Sequence, residues 1–127
     1  IIPRRQGRII NVASIAGLSG SIDVKFIAYG TSKGAVVNFT RTLAGEWGAY
    51  GITVNALAPG FFPSKMTKGV LAEFGTDKLA AQAPLKRIGD DDDLKGAALL
   101  FASAAGKHIT GQILAVDGGV SCVHGGG

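Results

Sequence analysis

Ile52-Thr53-Val54-Asn55-Ala56-Leu57-Ala58 is an apolar, β-branched run with Gly51 before it and Pro59-Gly60 after it. A run of that length between turn residues reads as a strand buried on both faces, the kind found inside a parallel sheet. Immediately upstream, from about Ala28 to Tyr50, the pattern becomes helical. Val36, Phe39, Leu43 and Trp47 recur at steps of three and four, which predicts one apolar helix face. Gly51 supplies the left-handed residue that ends such a helix. Further upstream, Gly7-Arg8-Ile9-Ile10-Asn11-Val12-Ala13 reads as another buried strand, introduced by glycine and followed by a loop holding Gly17 and Gly20.

Downstream of Gly60 an irregular stretch leads to two short helical patterns, near Lys65–Phe74 and Asp77–Ala83, and Pro84 opens another loop. Asp90-Asp91-Asp92-Asp93 stands just before Leu94, Ala97, Ala98 and Phe101, which are apolar at helical spacing. Carboxylates at a helix start satisfy free backbone donors and suit the positive end of the dipole. A calcium loop would space its ligands and include a glycine turn, so capping is the better reading. Ile113-Leu114-Ala115-Val116 is the third strand, ending in Asp117-Gly118-Gly119, and the terminal Gly125-Gly126-Gly127 reads as a frayed end. Helices alternating with apolar strands predict an α/β fold: about three parallel strands with flanking helices. Alone this is a poor fold, because the first strand would be a bare apolar edge. Either chain preceding Ile1 or another subunit is expected to cover it.

At 127 residues the chain holds one domain, and 46% apolar with 17% charged residues describes a globular core. No apolar run reaches the ~18 residues of a membrane helix, and Ile1-Ile2-Pro3-Arg4-Arg5 does not resemble a signal peptide. A reducing, cytoplasmic setting with no membrane partner is expected. The single cysteine, Cys122, excludes an internal disulfide and is too little sulfur for a structural zinc site, and no metal is expected. The net charge of +4 comes partly from Arg4, Arg5 and Arg8, but no aromatic residues interleave with them, so a nucleic-acid partner is not expected.

Tyr29-Gly30-Thr31-Ser32-Lys33 places a phenol and an ammonium at i and i+4 near the start of the predicted helix, on one face. A nearby cation favours the phenolate and lowers a pKa otherwise near 10, which makes a credible general acid/base. The same pair occurs by chance as a half-buried tyrosine and a solvated lysine. Ser14 stands at the C-terminal end of the first strand, where open α/β sheets bind ligands. Its hydroxyl there would hold a substrate oxygen while Tyr29 moves the proton. Pro59-Gly60 ends the next strand along the same rim, either as an ordinary turn or where a flat ring approaches the backbone.

The order of these motifs carries a resemblance. Gly7 through Ser14, Tyr29-Gly30-Thr31-Ser32-Lys33, Val54 through Gly60, and Ile109-Thr110-Gly111-Gln112 through Asp117-Gly118-Gly119 together resemble the short-chain dehydrogenase/reductase family over nearly the whole chain. The resemblance implies a Rossmann-like, doubly wound parallel sheet. Residues 1–127 would be the C-terminal catalytic part of that single domain, with the dinucleotide-binding half absent. It implies that Ser14 polarises the substrate oxygen, that Tyr29 is the proton donor or acceptor, and that Lys33 binds the nicotinamide ribose and depresses the Tyr29 pKa. Pro59, Gly60 and the backbone through Phe62 would pack along the nicotinamide, with Ser64 contacting the carboxamide. Met66 to about Ala83 resembles the substrate-covering helices.

The implied reaction is hydride transfer between NAD or NADP and a small ketone or secondary alcohol, the hard chemistry belonging to the cofactor. The glycine-rich phosphate turn and the residue that selects NAD or NADP should precede Ile1, so the fragment itself is expected to be inactive. Tyr29 follows Ser14 by 15 positions, slightly more than the common family spacing, which would reshape the pocket wall. The stretch Phe61-Phe62-Pro63-Ser64-Lys65-Met66-Thr67 looks closest to 3-oxoacyl reductases. Phe61, Phe62 and Met66 either wall an acyl chain or pack the cover onto the sheet. An epimerase or dehydratase of the superfamily is disfavoured by the short end at Asp117-Gly118-Gly119. The competing class is a non-catalytic oligomerisation or regulatory module. Family members commonly self-associate, as a dimer or tetramer, through the segments corresponding to Ala28–Tyr50 and Ile113–Val120.

Overall fold

The computed structural model describes residues 7–13, 27–60 and 80–123, with side chains from residue 31 onward in the long helix. Strand β1 (Gly7–Val12) leads to helix α1 (Ile27–Trp47), strand β2 (Ile52–Pro59), helix α2 (Asp91–Ala102) and strand β3 (Ile113–Val116). The three strands form one parallel sheet in the order β1-β2-β3. This is the α/β architecture expected from the alternation of elements.

Every residue from Ile52 to Ala58 is buried, which fits an apolar run without period-two alternation. Ile52, Val54, Ala56 and Ala58 face α1, where they meet Val37 and Ala44 together with Ala13 of the first-strand end. Thr53, Asn55 and Leu57 point to the other face. Helix α2 covers that face: it packs against all three strands, and its Phe101 is buried. The helix ends have local causes. A 3-10 turn, Gly48–Tyr50, follows α1 and closes at Gly51, whose φ of 73° is the left-handed conformation expected there. Asp90 caps α2 by accepting from the Asp92 and Asp93 backbone N–H groups, and Asp93 accepts in return from the Asp90 N–H. Arg87 then grips the Asp93 carboxylate with two bonds of 2.7 and 2.8 Å. Asp90 and Asp93 of the acidic run are therefore a helix cap.

One expectation is corrected. The buried stripe of α1 runs through Val37, Thr40 and Ala44, flanked by Val36, Leu43 and Trp47, while Phe39 is 56% exposed. Near Val37 the sheet under α1 presents Ala13, Ala56 and Ala58, and farther along Ala44 meets Ile52 and Val54 with Leu43 and Trp47 beside them, while Phe39 lies off this stripe. Strand β1 is an edge among the described residues, as expected, and Val12 at its end is exposed. No described helix is long and apolar enough to cross a membrane.

Candidate functional site

Parallel strands point their C-terminal ends to one rim, which is where such sheets bind ligands. Here the rim consists of Val12-Ala13 at the end of β1, Pro59-Gly60 at the end of β2 and Asp117 after β3. The Ala13 N–H donates to Leu57 O (2.7 Å) and the Gly60 N–H to Val116 O (3.0 Å), so the ladder holds up to the rim.

Helix α1 begins beside this rim. Tyr29 lies in its first turn and Lys33 one turn later. Lys33 Nζ donates to the Val12 carbonyl oxygen at 3.3 Å, which ties the ammonium to the end of β1. Ser14, Phe62 and Ser64 lie outside the described residues, as do Phe61 and Met66, and the Tyr29 side chain is likewise not described. The structure thus brings Lys33, Pro59 and Gly60 to one edge of the sheet, with the Tyr29 backbone one turn from Lys33. An ammonium with N–H donors at a sheet rim, beside strand ends, is a donor set that suits the hydroxyls of a ribose.

Gly60 has a requirement of its own. A Cβ at this position would lie 2.7 Å from Asp117 Cβ and 3.0 Å from Asp117 Cα, so only glycine lets the ends of β2 and β3 close together. Asp117 builds the turn that follows: its carboxylate accepts from the Gly119 N–H (3.0 Å) and the Ser121 N–H (2.8 Å). Gly118 and Gly119 have φ of 63° and 95°, and a Cβ on Gly119 would strike Pro84. The Leu85 N–H donates to Gly118 O at 3.1 Å, fixing the segment after Ala83 to the end of β3. An open cleft of about 510 Å³ lies between Ala83–Gly89 and Ala115–Val120.

Three polar residues in apolar surroundings hold the rim's supports and went unassigned in the sequence reading. Asn55, fully buried, donates to Ile109 O (3.0 Å) and accepts from the Gln112 N–H (3.1 Å), setting the entry to β3. Asn11 Nδ2 donates to Thr40 Oγ1 at 3.0 Å, joining β1 to α1. For Asn11 and Asn55 the available signal was a polar residue inside an otherwise apolar strand, because a buried polar group must find a partner; Thr40, in a helix, carried no such signal.

A family model described as enoyl-(acyl carrier protein) reductase matches residues 2–121. The chain belongs to the short-chain dehydrogenase/reductase family of NAD(P)-dependent oxidoreductases. It is 38% identical to a gluconate 5-dehydrogenase of Gluconobacter oxydans over 122 residues, covering 95% of this chain and 47% of that protein. It is 39% identical to a 3-oxoacyl-[acyl-carrier-protein] reductase of Chlamydia muridarum over 121 residues, with coverages of 95% and 48%. Among solved structures, a gluconate 5-dehydrogenase from Burkholderia cenocepacia in complex with NADP and tartrate superposes with a TM-score of 0.89 at 37% identity, covering 96% of this chain and 48% of that one. The chain spans about half the length of the relatives it matches.

Proposed function

We propose that the complete protein containing this chain is an NAD(P)-dependent oxidoreductase that interconverts a ketone and a secondary alcohol. Residues 1–127 would be the C-terminal catalytic part of one Rossmann-like domain, whose dinucleotide-binding half lies outside the chain. The observation that supports this most is the hydrogen bond from Lys33 Nζ to Val12 O. It holds a cation two residues before Ser14 and one helical turn after Tyr29. In this reading Ser14 orients the substrate oxygen and Tyr29 gives or takes its proton. Lys33 holds the nicotinamide ribose and favours the Tyr29 phenolate by its charge. Pro59, Gly60 and Phe62 flank the nicotinamide, and Ser64 contacts its carboxamide. When bound, the coenzyme supplies or accepts the hydride. The NADP in the Burkholderia cenocepacia structure favours NADP as the coenzyme.

The substrate is a small carbonyl compound of a class named for the relatives, a sugar acid or a 3-oxoacyl chain. Phe61, Phe62 and Met66 favour the acyl chain. The protein would work in the cytoplasm as a homo-oligomer, dimer or tetramer. Tyr29→Phe and Lys33→Ala in the complete protein test the chemistry. Loss of ketone reduction and alcohol oxidation in both is expected. Retained turnover in both, across sugar-acid and acyl substrates, would refute the roles given to Tyr29 and Lys33, and a complete wild-type protein without turnover would leave the interaction-module reading instead.

A further inference from the structure

We propose that Asn11 and Thr40 are positioning residues that set the register of α1 on the sheet and so place Lys33 at the rim. This rests on the reading of Lys33 as the residue that holds the coenzyme ribose. Thr40 is fully buried and lies on the stripe of α1 that continues from Lys33 through Val37. It is seven residues beyond Lys33, two turns or about 10 Å along the same face.

The hydroxyl has one proton, and that proton goes to Val36 O at 2.8 Å, within the helix. Thr40 can therefore only accept at its other side, and Asn11 Nδ2 donates to it at 3.0 Å. The next residue of β1, Val12, offers its carbonyl to Lys33 Nζ. Two consecutive residues of one strand thus bond two residues of one helix stripe, and the second bond holds the functional ammonium.

Near Lys33 the apolar packing does little to set that register, because the bulkier contacts of α1, Leu43, Ala44 and Trp47 against Ile9, Ile52 and Val54, lie farther along the helix. Under Val36 and Val37 the sheet presents Ala13, Ala56 and Ala58, a smooth surface on which a helix shifts with little change in contact area. A directional bond does what methyl groups do not. Among the described residues of α1, the Thr40 hydroxyl is the only polar side-chain group that is buried.

The test uses the complete native protein with Thr40→Val, Thr40→Ser and Asn11→Ala. Valine keeps the shape and removes the acceptor; serine keeps the acceptor. Thr40→Val is expected to lower kcat about tenfold, the order of loss that a small misplacement of a catalytic group causes, and to raise the coenzyme KM. The KM of the carbonyl substrate should stay within about twofold, and Thr40→Ser should restore both parameters. Asn11→Ala leaves the Thr40–Val36 bond intact and should show the same pattern, which keeps the test open if the valine variant misfolds. Crystal structures of the variants give a readout independent of turnover: Lys33 Nζ should leave hydrogen-bond distance of Val12 O. Variants that lose thermal stability alone, with wild-type kcat and KM per folded molecule and the Lys33 contact unchanged, would overturn the proposal. A wild-type protein without any oxidoreductase activity would instead sink the functional reading, and the crystallographic distance would still decide the positioning role.

Discussion

Gly60→Ala probes how tightly the rim is assembled. The added Cβ would sit 2.7 Å from Asp117 Cβ. Carbon atoms pack comfortably at about 3.5–4.0 Å, so the ends of β2 and β3 must separate by about 1 Å. The Gly60 N–H bond to Val116 O, now 3.0 Å, is the last rung of the ladder and would be lost. Overpacking of this kind costs about 1–3 kcal/mol, and the lost bond adds about 1 kcal/mol, giving a destabilisation of about 2–4 kcal/mol. Urea unfolding followed by the fluorescence of Trp47, the single tryptophan of these 127 residues, reads the change, because Trp47 packs against the α1–β2 core. With a slope of about 1–3 kcal/mol per molar urea, the midpoint should fall by about 1 M or more. Gly45→Ala is the control: it is an exposed helical glycine with nothing within 4 Å of a Cβ, and alanine there should stabilise by about 0.5–1 kcal/mol. If Gly60→Ala stays within about 0.5 kcal/mol of wild type, the steric argument fails.

Asn55→Ala should cost about 2–4 kcal/mol by the same unfolding assay, since it strands both Ile109 O and the Gln112 N–H at the entry to β3; a neutral result would contradict the role given to that side chain. Asp90→Ala should cost about 1 kcal/mol and Asp90→Ser much less, because serine can still accept from the helix N–H groups. The Asp93 carboxyl is held well below its ordinary value of 3.8, first by the Arg87 hydrogen bond and then by the Asp90 backbone N–H. A depressed folded-state value means that its stabilisation is full above the ordinary carboxylate range and fades as pH falls through the folded value. Titrating stability downward from about pH 5 should therefore weaken wild type more than Asp93→Asn; equal acid slopes would count against the pair.

The strands were legible because β1, β2 and β3 are mostly apolar, β-branched runs between turn residues, and the buried central strand β2 demands such a run. Gly51 and Asp90 were legible because left-handed backbone and free helix N–H groups select few residue types. The contact face of α1 was legible in part: Val36, Leu43 and Trp47 pack on the core, and Phe39 does not. Hydrophobic weight points to Phe39, whereas the stripe that meets the sheet runs through Val37, Thr40 and Ala44. The Tyr29/Lys33 pair was visible as helical spacing, but its place beside the end of β1 comes from the tertiary bond of Lys33 to Val12. Asn11, Thr40 and Asn55 were hidden for a general reason: a polar residue reads alike in sequence whether it meets water or a buried partner.

Isotope transfer tests the central claim most directly. The complete protein is incubated with NADPH deuterated at the transferring position of the nicotinamide and with ketones of the sugar-acid and 3-oxoacyl classes, and the products are examined by mass spectrometry and NMR. Deuterium on the carbinol carbon of an alcohol product, abolished by Tyr29→Phe, is the expected result. No labelled alcohol from any of these ketones, with NADH failing equally, would contradict the oxidoreductase assignment and the roles given to Ser14, Tyr29 and Lys33.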